Sequence, residues 1–167
     1  MRWDRLFEDL EAASSDLARD EADALADDLR DEEWADTSWR DLLGGRVRLE
    51  VRGAGQVTGE VASVNETLVR LRAGGVDQLV GVGAVVRVLE HERRADAPSR
   101  LDAALGWATA LRRLRDDGEP VRVVTDDGAS LDGRVDVVGK DFVRIAVGSG
   151  RGRVVVLARV AVVQTLG

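Results

Sequence analysis

Sliding the chain against itself by 74 residues aligns two β-rich stretches without a gap for about 28 positions. This internal repeat limits the fold more than any other feature, because whatever the first stretch folds into, the second must also accommodate. Val47-Arg48-Leu49 falls on Val121-Arg122-Val123, Gly59-Glu60-Val61 on Gly133-Arg134-Val135, and Leu68-Val69-Arg70-Leu71 on Phe142-Val143-Arg144-Ile145. After a loop one residue longer, Val82, Val85 and Val88 fall on Leu157, Val160 and Val163. Alternating Val, Leu and Arg broken by Gly predict short strands with tight turns. We place strands near 45–51, 56–64, 68–73, 78–82 and 85–89, then near 120–125, 130–138, 142–147, 153–157 and 160–165. A helix ending in Gly precedes each set, at Gly44 and at Gly118. A strongly bent sheet of about 45 residues closes most economically as a small barrel. The expected fold class is thus α+β: an N-terminal amphipathic helix, then two repeated helix-plus-five-strand small β-barrel units.

Residues 1–43 contain neither Gly nor Pro, and Trp3, Leu6, Phe7, Leu10, Ala13, Leu17, Leu25 and Leu29 recur near the helical period. They predict an amphipathic helix, or two. The opposite face carries Asp16, Asp20, Asp23, Asp27 and Asp31, most simply a solvated surface. Thr37 or Ser38 is placed to cap a short helix through Trp39, Leu42 and Leu43. Pro98-Ser99, with Asp102 three residues on, opens a second helix in a capping-box arrangement, and Leu101, Ala104, Leu105, Ala108, Leu111 and Leu114 form its apolar stripe. The expected divisions are an acidic helical arm at 1–37, a first unit at 38–90, a polar linker at 91–98 and a second unit at 99–167.

Val57-Thr58-Gly59-Glu60-Val61-Ala62-Ser63-Val64-Asn65 followed by Leu68-Val69-Arg70-Leu71 resembles the first Sm motif. Leu131-Asp132-Gly133-Arg134-Val135-Asp136-Val137-Val138-Gly139 followed by Phe142-Val143-Arg144-Ile145 resembles it again. The resemblance covers two stretches of about 45 residues and implies tandem Sm-like barrels of the Hfq and LSm type. It does not carry over RNA binding: Asn65 and Gly139 stand where the family has Asp, and Val69 and Val143 where eukaryotic members place an RNA-binding Asn. Val80-Gly81-Val82-Gly83 and Val156-Leu157-Ala158-Arg159 lack the Lys-His pair of Hfq-type members. The opening Met-Arg-Trp-Asp-Arg-Leu-Phe-Glu-Asp-Leu-Glu resembles actinobacterial proteins labelled Fis-type transcriptional regulators. That label implies a helix-turn-helix, but the 99–117 helix has no closely following partner helix.

Composition narrows the chemistry. The chain has no Cys and one His, His91, so thiolate sites, disulfides and His-rich metal centres are excluded and no metal or cofactor is expected. No apolar stretch approaches a membrane span of roughly 18 residues. A cytoplasmic protein with no membrane partner is expected. Residues 1–43 hold 15 Asp and Glu against 5 Arg, whereas the remainder holds 16 acids against 19 bases. The acidity belongs to the arm, and the rest is weakly basic. Only Lys140 is a lysine, so the other bases are Arg, as a GC-rich genome would encode regardless of function.

Candidate nucleic-acid contacts are therefore arginines. Arg46, Arg48, Arg70, Arg122 and Arg144 fall at strand positions from which a phosphate-tracking face could form, the simpler reading being a solvated face balanced by nearby acids. Arg151 and Arg153 lie in the slim segment Gly148–Arg153, which suits a narrow minor groove or, more simply, a hairpin loop. Trp3, Leu6, Phe7 and Leu10 are candidate partner-binding residues on the arm. Asp126-Asp127-Gly128 reads as a hairpin turn rather than a cation site, and His91 as an exposed linker residue rather than a general base. With no nucleophile or oriented base, an enzyme is not expected. The sequence points to a regulatory binding protein engaging RNA or DNA through Arg-rich barrel surfaces, modulated by the acidic arm. The alternative is a protein-interaction adaptor or oligomeric scaffold working through the N-terminal helix or an exposed strand edge such as 160–164, with a homo-oligomer as one outcome.

Overall fold

A computed structural model describes residues 2–92 and 105–166, with side chains from Ser14 onward. Two compact units are distinguished, residues 1–38 and 39–167. The first is one helix, α1 (Arg2–Ala35), unbroken because nothing in it interrupts the helical pattern. Its described aspartates Asp16, Asp20, Asp23, Asp27 and Asp31 are exposed, as a solvated face requires. Arg19 and Arg30 pair with Asp16 and Asp27 one turn earlier, at 3.2 and 2.6 Å. The Thr37 hydroxyl donates back to the Glu33 carbonyl (2.8 Å), so it closes α1 instead of capping a helix ahead of it. The partner-binding candidates Trp3, Leu6, Phe7 and Leu10 have side chains outside the described residues.

Among the described residues the second unit contains ten strands. β1 (Gly44–Val51), β2 (Gly55–Val64), β3 (Leu68–Ala73), β4 (Val76–Gly81) and β5 (Val85–Glu92) come from the first repeat. After α2 (Trp107–Asp117) follow β6 (Pro120–Thr125), β7 (Ser130–Val138), β8 (Phe142–Ala146), β9 (Arg153–Val156) and β10 (Val160–Thr165). They form one antiparallel sheet in the order β5-β1-β2-β3-β4-β10-β6-β7-β8-β9. The two halves have the same internal order, and β4 of the first half is hydrogen-bonded to β10 of the second.

This overturns the expectation of two separate helix-plus-five-strand Sm-like barrels. The sheet is single and open, ending at β5 and β9, and only two α-helices accompany it among the described residues. The helix before each set is not repeated either: before β1 there is one 3₁₀ turn, Trp39–Leu42, whereas before β6 there is the eleven-residue α2. The physical reason for the merger lies at the junction. One apolar cluster gathers Leu49, Val69, Leu71 and Val80 of the first repeat together with Ala161 and Val162 of β10. A second gathers Leu111, Val123, Val143, Ile145 and Val163 together with Leu68 of β3 and Leu79 of β4. Leu79 and Val80 on β4, and Val162 and Val163 on β10, point to opposite clusters, so each half completes the other's core.

Local geometry does repeat. β2 and β7 each carry a bulge, at Ala62 and at Asp136, where the pairing to β3 and β8 shifts register. Ahead of each bulge a glycine lets the next strand approach closely: a Cβ on Gly59 would meet Leu71 Cβ at 3.0 Å, and one on Gly133 would run into the Ala146 carbonyl oxygen. The β4–β5 and β9–β10 links are matching 3₁₀ turns, Val82–Ala84 and Leu157–Arg159. Two expected boundaries move. β5 runs through Glu92, so His91 is an exposed strand residue paired with Val47 rather than linker. Of the expected helix 99–117 the described residues contain α2 from Trp107 to Asp117, with Gly106 extended ahead of it; residues 99–104 lie outside the described residues. The capping box at Ser99 and Asp102 lies outside the described residues. At its far end α2 stops at Gly118, whose φ of 66° no other residue type adopts cheaply.

Candidate functional site

Arginine placement follows from strand alternation. Arg46 and Arg48 on β1, Arg70 and Arg72 on β3, Arg122 on β6 and Arg144 on β8 alternate with buried residues, and an antiparallel neighbour sets a residue opposite each. In four of the seven candidate positions a carboxylate occupies that neighbourhood. Arg70 Nη2 donates to Asp77 Oδ2 at 2.7 Å, with Arg72 Nε on the other oxygen at 3.3 Å. Arg122 grips Asp132 with two parallel bonds of 2.7 Å. Arg144 Nε donates to Asp136 at 2.7 Å. Arg48 pairs with Glu90 on β5. Beyond the candidates, Arg87 pairs with Glu50 at 2.8 Å, and Arg134 donates to the Gly118 carbonyl, holding the end of α2.

The carboxyls register these partners. Partial burial pushes Asp77 up, but its bonds and attraction to Arg70 and Arg72 outweigh that and hold it below the usual carboxylate range. Asp132 is lowered by the Arg122 guanidinium, which is itself raised in return. A face whose cations are matched by anions has little counterion atmosphere to exchange with a phosphate backbone. Arg48, Arg70, Arg122 and Arg144 therefore belong to cross-strand pairs and not to a free basic track.

Arg46, Arg151 and Arg153 make no ion pair among the described residues. They are not brought together: β1, which carries Arg46, is second in the strand order, whereas Arg153 opens β9 at the far end. Gly148–Gly152 is a hairpin loop between β8 and β9, entered through Gly148 at φ 57°, with Arg153 paired to Ile145. A Cβ on Gly152 would meet the Arg144 side chain at 2.9 Å, so that arginine lies over the loop's base. Asp126-Asp127-Gly128 is a turn: the Thr125 amide donates to Ala129 O (2.9 Å) and Gly128 N to Thr125 O (3.0 Å). Asp127 accepts from the Thr125 hydroxyl (2.6 Å) and the Ala129 amide (3.1 Å), which lower its carboxyl.

Two features carry no obvious sequence signal. Asn65 Oδ1 accepts from the Thr67 and Leu68 amides, each at 2.8 Å, and its Nδ2 donates to the Leu105 carbonyl at 2.9 Å. It thereby fixes the β2–β3 turn and ties it to the chain entering α2. Beside it opens a cleft of about 550 Å³ lined from both repeats, including Arg52, Glu66, Trp107, Asp126 and Lys140. Its charges balance, two of each sign, and Asp126 is further engaged by Arg159 at 2.9 Å.

No protein-family model matches the chain, and no curated protein matches it in sequence. Its own surface therefore supplies the functional clues. Among the described residues, apart from the arm and Leu166, the exposed large aliphatics are Val86 and Leu89 on β5 and Val154 and Val156 on β9. They sit on the two strands that end the sheet, which the paired arginines leave as its most distinctive surfaces. No helix among the described residues is long and apolar enough to cross a membrane.

Proposed function

We propose that this chain is a non-catalytic protein-interaction module that takes up extended segments at the open ends of its sheet. The observation that carries this reading is the coincidence of unpaired backbone edges with exposed Val86, Leu89, Val154 and Val156. An edge strand offers a row of free N–H and C=O groups, and its exposed alternate side chains add apolar area for a partner strand to cover. Arm residues Leu17, Leu25 and Leu29, all exposed on α1, give a second protein-binding surface in the same class.

Selecting a random displayed-peptide library on the full chain tests the reading. Enrichment of extended, alternating apolar peptides, lost with Val154→Pro, is the expected result. No difference between the wild type and Val154→Pro would overturn it. A second reading, nucleic-acid binding, is favoured only by the unpaired Arg151 and Arg153. Salt-sensitive binding of labelled duplex DNA or RNA that disappears with Arg151→Ala/Arg153→Ala would install that reading in its place.

A further inference from the structure

We propose that the exposed apolar face of α1 is one half of a helix-to-helix contact, and that the other half is a cationic amphipathic helix of a different protein. The inference rests on the reading of α1 as a protein-binding surface and names the chemistry of what lies on it.

The helix runs 34 residues, about 50 Å at roughly 1.5 Å per residue. Helices in water draw most of their stability from packing an apolar face. Yet Leu17, Leu25 and Leu29 are 64%, 61% and 58% exposed. At about 100° per residue these three fall within an arc of about 120°, opposite Asp16, Asp20, Asp23, Asp27 and Asp31. Within and beside that arc Ala18, Ala22, Leu25 and Leu29 step by four, three and four residues, the spacing of a two-helix seam. The two alanines let a partner backbone come close, and the leucines supply the apolar area that such a partner covers.

Charge along the edges of the seam decides what can lie there. Glu21 and Asp28 flank it on one side and Glu33 on the other, and the seam position after Leu29 is Glu32. All four are exposed, and none makes an ion pair among the described residues, because Arg19 and Arg30 are taken by Asp16 and Asp27. A second α1 would meet like charge whichever way it lay. In a parallel pair Asp28 of one helix faces Glu33 of the other, and in an antiparallel pair the flank bearing Glu21 and Asp28 faces itself. Anionic lipid is repelled by the same carboxylates. A helix with Lys or Arg at its flanks turns each repulsion into an attraction. Exposed ion pairs add little affinity each, so the leucines hold the partner and the carboxylates select it.

A displayed library of helical peptides tests this, with the full chain as bait. Each peptide keeps a leucine seam over about four heptads and varies Lys, Gln and Glu at the flanking positions. Enrichment of Lys at the flanks is expected. The selected peptide is expected to bind about tenfold or more weakly to Leu25→Gln/Leu29→Gln and about threefold more weakly to Glu21→Gln/Asp28→Gln. Gln is a good helix former, so circular dichroism of both variants should keep the helical signal. Binding unchanged in Leu25→Gln/Leu29→Gln would overturn the proposal, because attraction between opposite charges would then suffice without the seam. Dimerisation of the wild type lost in that variant would also overturn it by making a second α1 the occupant, as would phosphatidylcholine vesicle binding lost in the same way. Helical peptides enriched without regard to flank charge would leave α1 a protein-binding surface and remove the cationic partner. No enrichment of any helical peptide, while extended peptides are still selected through β9, would remove both and leave strand addition standing.

Discussion

Leu79→Ala probes whether the halves share their cores. By sequence Leu79 belongs to the first repeat, yet its side chain, 8% exposed, packs in the cluster around Leu111, Val143 and Ile145. Removing its buried methylene and methyls costs the lost transfer energy plus a cavity term, about 2–4 kcal/mol for a leucine so placed. At roughly 3–4 °C per kcal/mol for a unit of this size, the midpoint falls by about 6–16 °C. The assay is thermal unfolding followed by far-ultraviolet circular dichroism and by the fluorescence of Trp107, kept as the sole tryptophan by replacing Trp3, Trp34 and Trp39 with Phe. Trp107 belongs to the second half, packed against the same cluster. One transition, displaced equally by both probes, is expected. A Trp107 midpoint that stays put, or two transitions of which one moves, would refute the interlocked packing.

Gly133→Ala drives a Cβ into the Ala146 carbonyl, which is backbone and cannot turn aside; urea unfolding should show a loss of about 1–3 kcal/mol. Asn65→Ala removes three hydrogen bonds at a half-buried position and should cost about 1–3 kcal/mol by the same measurement, with amide exchange speeding at Thr67 and Leu68. The Asp77, Asp127 and Asp132 carboxyls are all lowered in the fold. Each therefore adds stability above the ordinary carboxyl pKa of about 3.9 that is lost as pH falls through its lower folded-state value. Asp77→Asn should flatten the acid limb of the stability profile below about pH 4, and an unchanged limb would count against the Arg70–Asp77–Arg72 arrangement.

Much of the sheet was legible because its signals are local. Glycine positions and the alternation of Val47, Leu49 and Val51 or Val121 and Val123 mark strands and turns without reference to the rest of the chain. Strand partnership is not local. Nothing in Leu79 or Val163 reveals that they face each other, since either would pack as well within its own repeat, and the inference of separate closed barrels assumed that each repeat buries its own residues. The start of α2 is hidden for a related reason: the apolar stripe keeps helical spacing from Leu105 into the helix, yet Gly106 between them is extended and α2 starts at Trp107. The arginines and the acids near them are legible as residues, and the pairs Arg122–Asp132 and Arg144–Asp136 agree with a solvated face balanced by nearby acids, while the specific partners are not legible. Arg122 and Asp132 are ten positions apart and become opposed only when β6 and β7 pair. Asn65 attracted notice as a departure from a motif, while its bond to Leu105, forty residues on, had no sequence trace.

Exchange of side chains across the β4–β10 junction also limits how the chain can be cut. A piece ending after β5 would keep the strands of the first half but lose Ala161 and Val162 from its apolar cluster. The complementary piece would lack Leu68 and Leu79. Each fragment would carry a notch shaped to the side chains of the other, and an unpaired strand in matching register beside it. Such pieces are suited to recombine noncovalently, as fragment complementation requires. The duplicated segment has thus become half of a module, not a module that could be passed alone to another protein.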